Sequence, residues 1–425
     1  MPSLGDECIL RSVIAGLGNS DEGVECLIHS EEACQWFDDH FSKTQFERSE
    51  KGIAPKVKLS CQLGLLLIYA KLFNKARYLR LPEPLRAFVA FVGLPFYVVL
   101  SRENRFLLKR ITAEIERCDA CYFYGGSAWS AQFFWTAAYP LFWHFMLCRF
   151  YHKDVFCGPQ QYGRQTFFQK WFFSLFIRPL LSDARCRNAR CVEEVGFDSH
   201  QLMFDEVFAC ARLYPVKWQH QRAKSFILIN FRGTNFLRAT NASEMRTFAV
   251  LLVMLQQKLG LPFRVFGMSG PAFCDDLQIW SYLQNVNGGR LDVEVVPVKD
   301  EYDLIHLAGQ AYGTISMSFH GCLFSMIGGC PAVPVTSGKY YDYKYADFDR
   351  YTGGQHVPLI SLENSNFDQA VDSIIEYFDR YRPARTAAVR KRAALQIEKW
   401  YLQIRNNSRY EAEAVEADNL SEVMQ

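Results

Sequence analysis

The stretch Thr314–Thr336, TISMSFHGCLFSMIGGCPAVPVT, decides the fold. Its first residues, 314–318, predict a short strand, and residues 322–327 predict the opening of a helix. A glycine pair and Pro331 then break the pattern before a second apolar run, Ala332–Thr336, which predicts another strand. A strand, a helix and a strand with short connections predict two parallel strands joined by a crossover helix.

The same alternation continues on both sides of this stretch. The predicted strands are 225–230, 263–268 and 291–298, and the predicted helices begin near Glu244 or cover 275–283, 302–311 and 367–380. Alternating strands and helices are typical of a parallel sheet with helices on both faces. We therefore expect a Rossmann-like domain at about residues 220–385.

The first half contains long aromatic helices and fewer clear strands. Residues 120–124 and 154–157 predict strands that end in glycine turns, the first of them at Gly125-Gly126-Ser127. Residues 183–196 predict a helix. Strands that end in glycine turns again indicate an α/β domain.

We expect three segments along the chain. The first is an α/β domain at residues 1–215, and the second is the Rossmann-like domain at 220–385. The boundary is expected near Leu213–Arg222, where Pro215 and polar residues interrupt the pattern. The third segment, 386–425, predicts a helix with a basic face and an acidic tail.

Composition narrows the class of partner and the compartment. The 425 residues include 47 Lys plus Arg against 45 Asp plus Glu, so no positive field would hold a nucleic acid. The 14 cysteines are scattered, and the C-x-x-C pair Cys118 and Cys121 lacks the second pair of a structural zinc site. We therefore expect reduced thiols and no metal. No secretory signal is visible at the start of the sequence, so we expect a cytoplasmic protein.

The aromatic stretches leave two interpretations open. Residues 87–100 form the most continuous apolar run, which is shorter than the roughly 20 residues of a membrane-spanning helix. Stretches 65–73, 133–150 and 171–181 are also aromatic. Such helices suit either a buried core or a peripheral contact with the inner membrane.

Candidate chemistry collects at predicted strand ends in the second half. His320 lies where a strand gives way to a helix, and a histidine there can exchange protons near neutral pH. A single histidine is also compatible with a purely structural role. Arg232 and Gly233 follow the strand at 225–230, and Lys344 follows the strand at 332–336. These groups could converge on one anionic ligand.

Several motifs resemble those of the polysaccharide pyruvyl transferases. That family typically has I-S-x-R-x-H-G, then G-x-P and Y-x-x-K, and similar segments of this chain are Ile315-Ser316-Met317-Ser318-Phe319-His320-Gly321, Gly329-Cys330-Pro331 and Tyr341-Asp342-Tyr343-Lys344. Leu4-Gly5-Asp6-Glu7 is similar to the family's opening motif. Asp205 is similar to the aspartate of its D-P-A-F motif.

The resemblance implies a fold, an activity and a set of site residues. The fold would be two Rossmann-like domains in a GT-B-like arrangement, with the active site in the cleft between them. The enzyme would transfer a pyruvyl group from phosphoenolpyruvate to hydroxyls of a polysaccharide or its lipid-linked precursor, forming a ketal without a cofactor or metal. The implied catalytic residues are His320 and Asp6, the donor-binding residues are Arg232, Gly233, Ser318, Gly321 and Lys344, and the acceptor or cleft residues are Gly125, Gly126 and Tyr341.

One departure from the family pattern keeps two alternatives open. Ser318 stands where the family has an arginine, so one expected anion-binding group is absent. The first alternative is a GT-B-type glycosyltransferase in which Arg232, Lys344 and His320 hold the diphosphate of a nucleotide sugar. The second is a non-catalytic glycan-binding subunit.

Overall fold

The structure is a computed structural model that describes most of the chain. The described residues are 8–9, 12–13, 24–28, 57–61, 72, 82–100, 102–117, 120–126, 129–131, 134–163, 165–210, 225–232, 242–268, 276–277, 285, 291–363 and 366–406. The expected domain boundary and most of the helix predicted at 275–283 lie outside them.

The first half contains two small parallel sheets. Its elements are β1 Val24–Ile28, β2 Val57–Cys61, α1 Glu83–Leu100, α2 Arg102–Arg117, β3 Ala120–Phe123, α3 Phe134–Phe150, β4 Asp154–Gln160, α4 Phe167–Phe172, β5 Asp183–Cys186 and α5 Ala189–Val195. β1 pairs with β2, and the other three strands are ordered β3-β4-β5 with every neighbour parallel.

The helix predicted at 183–196 is wrong in its first part. Residues 183–186 alternate between half-buried and buried, and they pair with β4 as a strand. An alternation with a period of two suits a strand that presents one face to the core. Only the later residues form α5, which ends at Gly196 in the left-handed conformation, φ 73°.

The second half is built on a six-stranded parallel sheet. Its elements are β6 Ile227–Asn230, α6 Ala242–Leu259, β7 Phe263–Val265, β8 Val293–Val295, α7 Glu301–Gln310, β9 Gly313–Ser316, α8 Phe319–Ile327, β10 Ala332–Thr336, α9 Lys339–Lys344, α10 Asp349–Thr352, β11 Ile360–Ser361, α11 Phe367–Arg380 and α12 Pro383–Asn406. The strand order is β11-β10-β9-β6-β7-β8. The expected alternation of parallel strands and helices is confirmed.

Burial explains why these residues form these elements. Every residue of β6, β9 and β10 is buried, as expected for strands with helices on both faces. In α11 the buried residues recur with helical spacing on one side: Ala370, Val371, Ile374, Tyr377 and Phe378. Helix α8 is buried almost all round, so it lies inside the protein and not on its surface.

Helix α12 joins the two halves. It begins directly after α11, yet its later residues contact the first half. The Trp400 indole donates a hydrogen bond to the Tyr122 hydroxyl at 3.3 Å, and the Arg185 guanidinium lies 4.3 Å from the Trp400 ring centroid. The end of the described chain therefore packs against the β3-β4-β5 sheet.

Among the described residues, no helix combines the length and the apolar character that crossing a bilayer requires.

Candidate functional site

The order of the strands defines a switch point between β6 and β9. From β6 the sheet grows through β7 and β8 in one direction, and from β9 it grows through β10 and β11 in the other. The two strand ends are linked because the Ser316 hydroxyl donates to the Asn230 side-chain oxygen at 3.1 Å. In open parallel sheets, ligands bind beyond the carboxyl ends of the strands at such a point.

Ser318 caps the helix that begins at this switch point. Its hydroxyl accepts a hydrogen bond from the Gly321 N–H at 3.3 Å, while its own N–H donates to the Ser316 hydroxyl at 3.0 Å. Gly321 is required here because an added Cβ would lie 2.7 Å from the Ser316 hydroxyl oxygen. The serine that stands in place of the family arginine thus shapes the start of α8, and it contributes no charge.

His320 of α8 meets two charged residues of the first half. Its Nε2 lies 3.5 Å from the Asp205 Oδ2, and Arg187 Nη1 donates to the same oxygen at 2.6 Å. The Arg187 and Asp205 side chains are 3% and 1% exposed, and the His320 side chain is 11% exposed. The imidazole therefore lies at the contact between the halves, held beside a buried ion pair.

Asp205 is ionised in this setting. Burial alone would raise the pKa of its carboxyl, but His320, Arg187 and the Val207 N–H together hold that pKa well below its usual value. An ionised carboxylate beside Nε2 orients the imidazole. The arrangement can therefore support proton transfer by His320.

Two cations flank one aromatic ring next to the histidine. The Lys344 ammonium lies 5.3 Å from the Phe319 ring centroid, and the Arg187 guanidinium carbon lies 5.0 Å from it. The Phe319 and His320 ring centroids are 5.9 Å apart. The end of α9 thus brings Lys344 close to the start of α8, as the sequence predicts.

Arg232 lies at the end of β6 and shares its charge with a buried carboxylate. Its Nη1 is 3.7 Å from the Asp276 Oδ2, and the Asp276 side chain is fully buried. The same Asp276 oxygen accepts the Met268 N–H at 2.9 Å. Arg232 is therefore held just beyond the end of the strand next to β9, close to the switch point, with part of its charge already balanced.

Two of the residues predicted for the acceptor side make backbone hydrogen bonds, and the third, Tyr341, is buried. The Gly125 N–H donates to Glu206 Oε2 at 2.6 Å, and the Gly126 carbonyl accepts the Gln161 N–H at 2.8 Å. Tyr341 is 1% exposed, and its ring lies in an aromatic cluster with Tyr340 and Tyr345. Asp6 and Gly233, two further predicted site residues, lie outside the described residues.

Close packing between the halves holds the site together. The Tyr343 ring leaves no room for a side chain at Gly163, where an added Cβ would lie 2.1 Å from it. The Asn188 side-chain amide donates to the Tyr343 carbonyl at 3.0 Å, and Arg350 donates to the Arg187 carbonyl at 2.6 Å. These contacts fix the position of Arg187 relative to α8.

Arg187 and Asp276 are functional candidates that the sequence did not single out. Arg187 directly follows β5, and Asp276 follows β7. For Arg187 the available signal was a charged residue directly after a strand, which is common on protein surfaces, and Asp276 lies too far from the end of β7 to give even that signal. Asp205 was noted for its motif, but its contact with His320 spans 115 residues, as 320 minus 205 gives, and no local pattern predicts it.

Solved structures similar to this one contain bound UDP or are described as enzymes that act on a UDP sugar. S. aureus MnaA in complex with UDP has 12% identity and a TM-score of 0.54, with 94% of each chain covered. A Listeria monocytogenes protein described as a UDP-N-acetylglucosamine 2-epimerase has 12% identity and a TM-score of 0.54 over 95% of each chain. Arabidopsis thaliana UGT89C1 in complex with UDP has 10% identity and a TM-score of 0.50, covering 95% of this chain and 96% of that one.

The chain has a GT-B-like fold. Two Rossmann-like domains of the expected kind are thereby confirmed. The sequence matches no protein-family profile, and it matches no curated protein. Membership of the polysaccharide pyruvyl transferase family therefore stays a prediction.

The expected activity needs a correction. Transfer of a pyruvyl group from phosphoenolpyruvate is contradicted, because the similar structures are UDP-N-acetylglucosamine 2-epimerases and UDP-bound proteins. The GT-B-like fold agrees better with the first alternative, a GT-B-type nucleotide-sugar glycosyltransferase. The motifs alone did not identify the donor, because a strand end, a histidine and a lysine suit any doubly charged donor.

Proposed function

We propose that this chain is a glycosyltransferase that uses a nucleoside diphosphate sugar. The observation that supports this most strongly is the pairing of His320 with the ionised Asp205 at the contact between two Rossmann-like domains. An acid–base group between the domains can face a donor held by one half and an acceptor held by the other. The similar structures that contain UDP support the choice of donor.

The diphosphate would bind at the switch point between β6 and β9. Arg232 after β6 and Lys344 at the end of α9 provide positive charge from the two strands that flank β9, and the first turn of α8 directs its positive dipole end to the same edge. These groups would bind the phosphates of the donor. They would also stabilise the charge that develops on the leaving diphosphate.

His320 would act as the general base. An acceptor hydroxyl attacks the anomeric carbon of the donor and gives its proton to the imidazole. The bond between the anomeric carbon and the phosphate oxygen breaks, and its electron pair leaves with the nucleoside diphosphate. Asp205 is a positioning residue in this scheme, because it orients the ring and stabilises the imidazolium that forms.

The test is release of UDP from UDP-N-acetylglucosamine and other UDP sugars in the presence of candidate glycan acceptors. We expect release that depends on the acceptor and falls on the order of 10² to 10⁴-fold in His320→Ala. The matched control is His306→Ala, which removes an exposed histidine of α7. Conversion of the donor sugar into an epimer without transfer would contradict glycosyl transfer, and equal activity in the two variants would contradict the role of His320.

An exposed apolar surface suggests where a membrane-linked acceptor would be met. The exposed large apolar residues of α1 lie on one face at helical spacing, and they are Leu85, the adjacent pair Phe88 and Val89, Val92, Phe96 and Leu100. Phe96 is 68% exposed and Leu100 is 80% exposed. Neighbouring α2 adds Phe106, which is 71% exposed, and exposed Arg102, Arg105 and Lys109. Aromatic residues beside basic ones suit the interface of an anionic bilayer.

Vesicle binding tests this membrane contact. We expect the protein to co-sediment with vesicles that contain phosphatidylglycerol and to bind neutral phosphatidylcholine vesicles much more weakly. Phe96→Glu should reduce binding, whereas Glu376→Gln, a change at an exposed residue of α11, should leave it unchanged. Equal binding of the wild type and Phe96→Glu would contradict a role for α1.

A further inference from the structure

Two thiols and an imidazole converge in the first domain, away from the residues assigned to sugar transfer. Cys121 lies on β3, and His144 and Cys148 lie on α3. The Cys121 Sγ and His144 Nε2 are 3.8 Å apart, and all three potential ligand atoms lie within 4.8 Å of one another. We propose that these three residues bind a zinc-class cation, one that prefers sulfur and nitrogen ligands.

The spacing along the chain explains how the ligands meet. His144 and Cys148 are four residues apart, so they lie on the same face of α3. Cys121 is supplied by a strand of the adjoining sheet. A bound ion would therefore tie α3 to β3, in addition to the apolar packing between the helix and the sheet.

The distances are close to those of a zinc site. Zn²⁺ binds thiolate sulfur at about 2.3 Å and imidazole nitrogen at about 2.0 to 2.1 Å, so two ligands of a tetrahedral site are about 3.6 to 3.8 Å apart. The observed pair at 3.8 Å already meets this spacing. The widest separation, at most 4.8 Å, needs to shrink by about one ångström, which rotation of side chains can supply.

Charge and accessibility also favour this class of ion. Two thiolates and a neutral imidazole offset a divalent cation completely, so the buried site carries no net charge. Cys148 is fully buried, whereas Cys121 and His144 are half-buried and give the ion a route from solvent. Hard ions such as Mg²⁺ and Ca²⁺ prefer oxygen ligands and would not select this site.

Without a metal ion, the Cys121 and Cys148 side chains are joined by a hydrogen bond. A hydrogen bond with Cys148 and burial together raise the pKa of the Cys121 thiol well above its usual value, although His144 opposes them. The Cys121 thiol is therefore protonated in the empty site. Binding of Zn²⁺ forms two metal–sulfur bonds and one metal–nitrogen bond, and it releases to solvent any proton that the two thiols carry.

Titration of the full-length reduced protein with Co²⁺ tests the proposal, because thiolate-to-cobalt charge transfer gives a near-ultraviolet band. We expect the band in the wild type, a clear loss of intensity in Cys148→Ala and a weaker band in His144→Ala. The matched control is Cys186→Ala, which removes a buried thiol of the same sheet outside the cluster and should leave the band intact. Circular dichroism verifies that each variant is folded.

Metal stoichiometry supplies the second measurement. Equilibrium dialysis against Zn²⁺ followed by elemental analysis should show one equivalent fewer in Cys148→Ala than in the wild type and in Cys186→Ala. Equal metal content in all three proteins would overturn the proposal. So would an equal loss in both cysteine variants, or a disulfide between Cys121 and Cys148 in the purified protein.

Discussion

The buried carboxyl of Glu206 makes the stability of the protein depend on pH. Its carboxyl is fully buried and accepts hydrogen bonds from the Tyr122 hydroxyl, from the Gly125 N–H at 2.6 Å and from the Tyr401 hydroxyl at 2.9 Å. Burial outweighs these bonds and raises the pKa of Glu206 from 4.5 to about 7. The folded protein therefore binds this proton more tightly than the unfolded chain does.

The difference in the pKa of Glu206 between the folded and unfolded protein sets how the free energy of unfolding changes with pH. A carboxyl whose pKa is raised by folding stabilises the protein fully below the unfolded pKa, and this stability is lost as pH rises through the folded pKa. A shift from 4.5 to about 7 corresponds to about 3 kcal/mol. The wild type should lose that amount between about pH 4.5 and about pH 8, with other groups adding their own dependence.

Glu206→Gln removes the titrating proton and keeps the shape of the side chain. The amide can accept from the Gly125 N–H and donate to the tyrosine hydroxyls. Urea denaturation gives the free energy of unfolding at each pH. Between about pH 4.5 and about pH 8, this free energy should fall by about 3 kcal/mol less in the variant than in the wild type. Glu376→Gln is the exposed control and should follow the wild type. Parallel curves for the wild type and Glu206→Gln would refute the reasoning.

Three further changes probe the contacts around the site. Gly163→Ala places a Cβ 2.1 Å from the Tyr343 ring, so urea denaturation should show a loss of about 1 to 3 kcal/mol. Asp205→Asn leaves the buried Arg187 without its counter-charge and should cost about 3 to 5 kcal/mol by the same assay. Ser318→Ala removes the N-cap of α8 and should lower the thermal midpoint in line with about 1 kcal/mol, whereas an unchanged midpoint would contradict the capping role.

Much of the second domain could be predicted because its strands are buried on both faces. An apolar run such as Ala332–Thr336 has one reasonable interpretation when glycine turns and helical patterns flank it, and the observed β10 has the same bounds. Residues 183–186 were misjudged as helical because a short edge strand of mixed polarity, DARC, carries little signal.

The site could be predicted only where its residues follow strands of one sheet. His320 and Lys344 were found because parallel strands end at a common edge, and the structure brings them together around Phe319. The partners Arg187 and Asp205 come from the other domain, so their positions depend on how the halves pack. The Cys121 and His144 contact was missed because it forms only when a strand and a helix of the first domain pack together.

Calorimetric titration with UDP tests the central claim most directly. The account predicts binding of one UDP to the wild type, at least about 10-fold weaker binding in Arg232→Ala and in Lys344→Ala, and unchanged affinity in Lys258→Ala, which removes a partly exposed lysine paired with Asp372. Absence of UDP binding, or equal affinity in all four proteins, would contradict a nucleotide site at the switch point between β6 and β9.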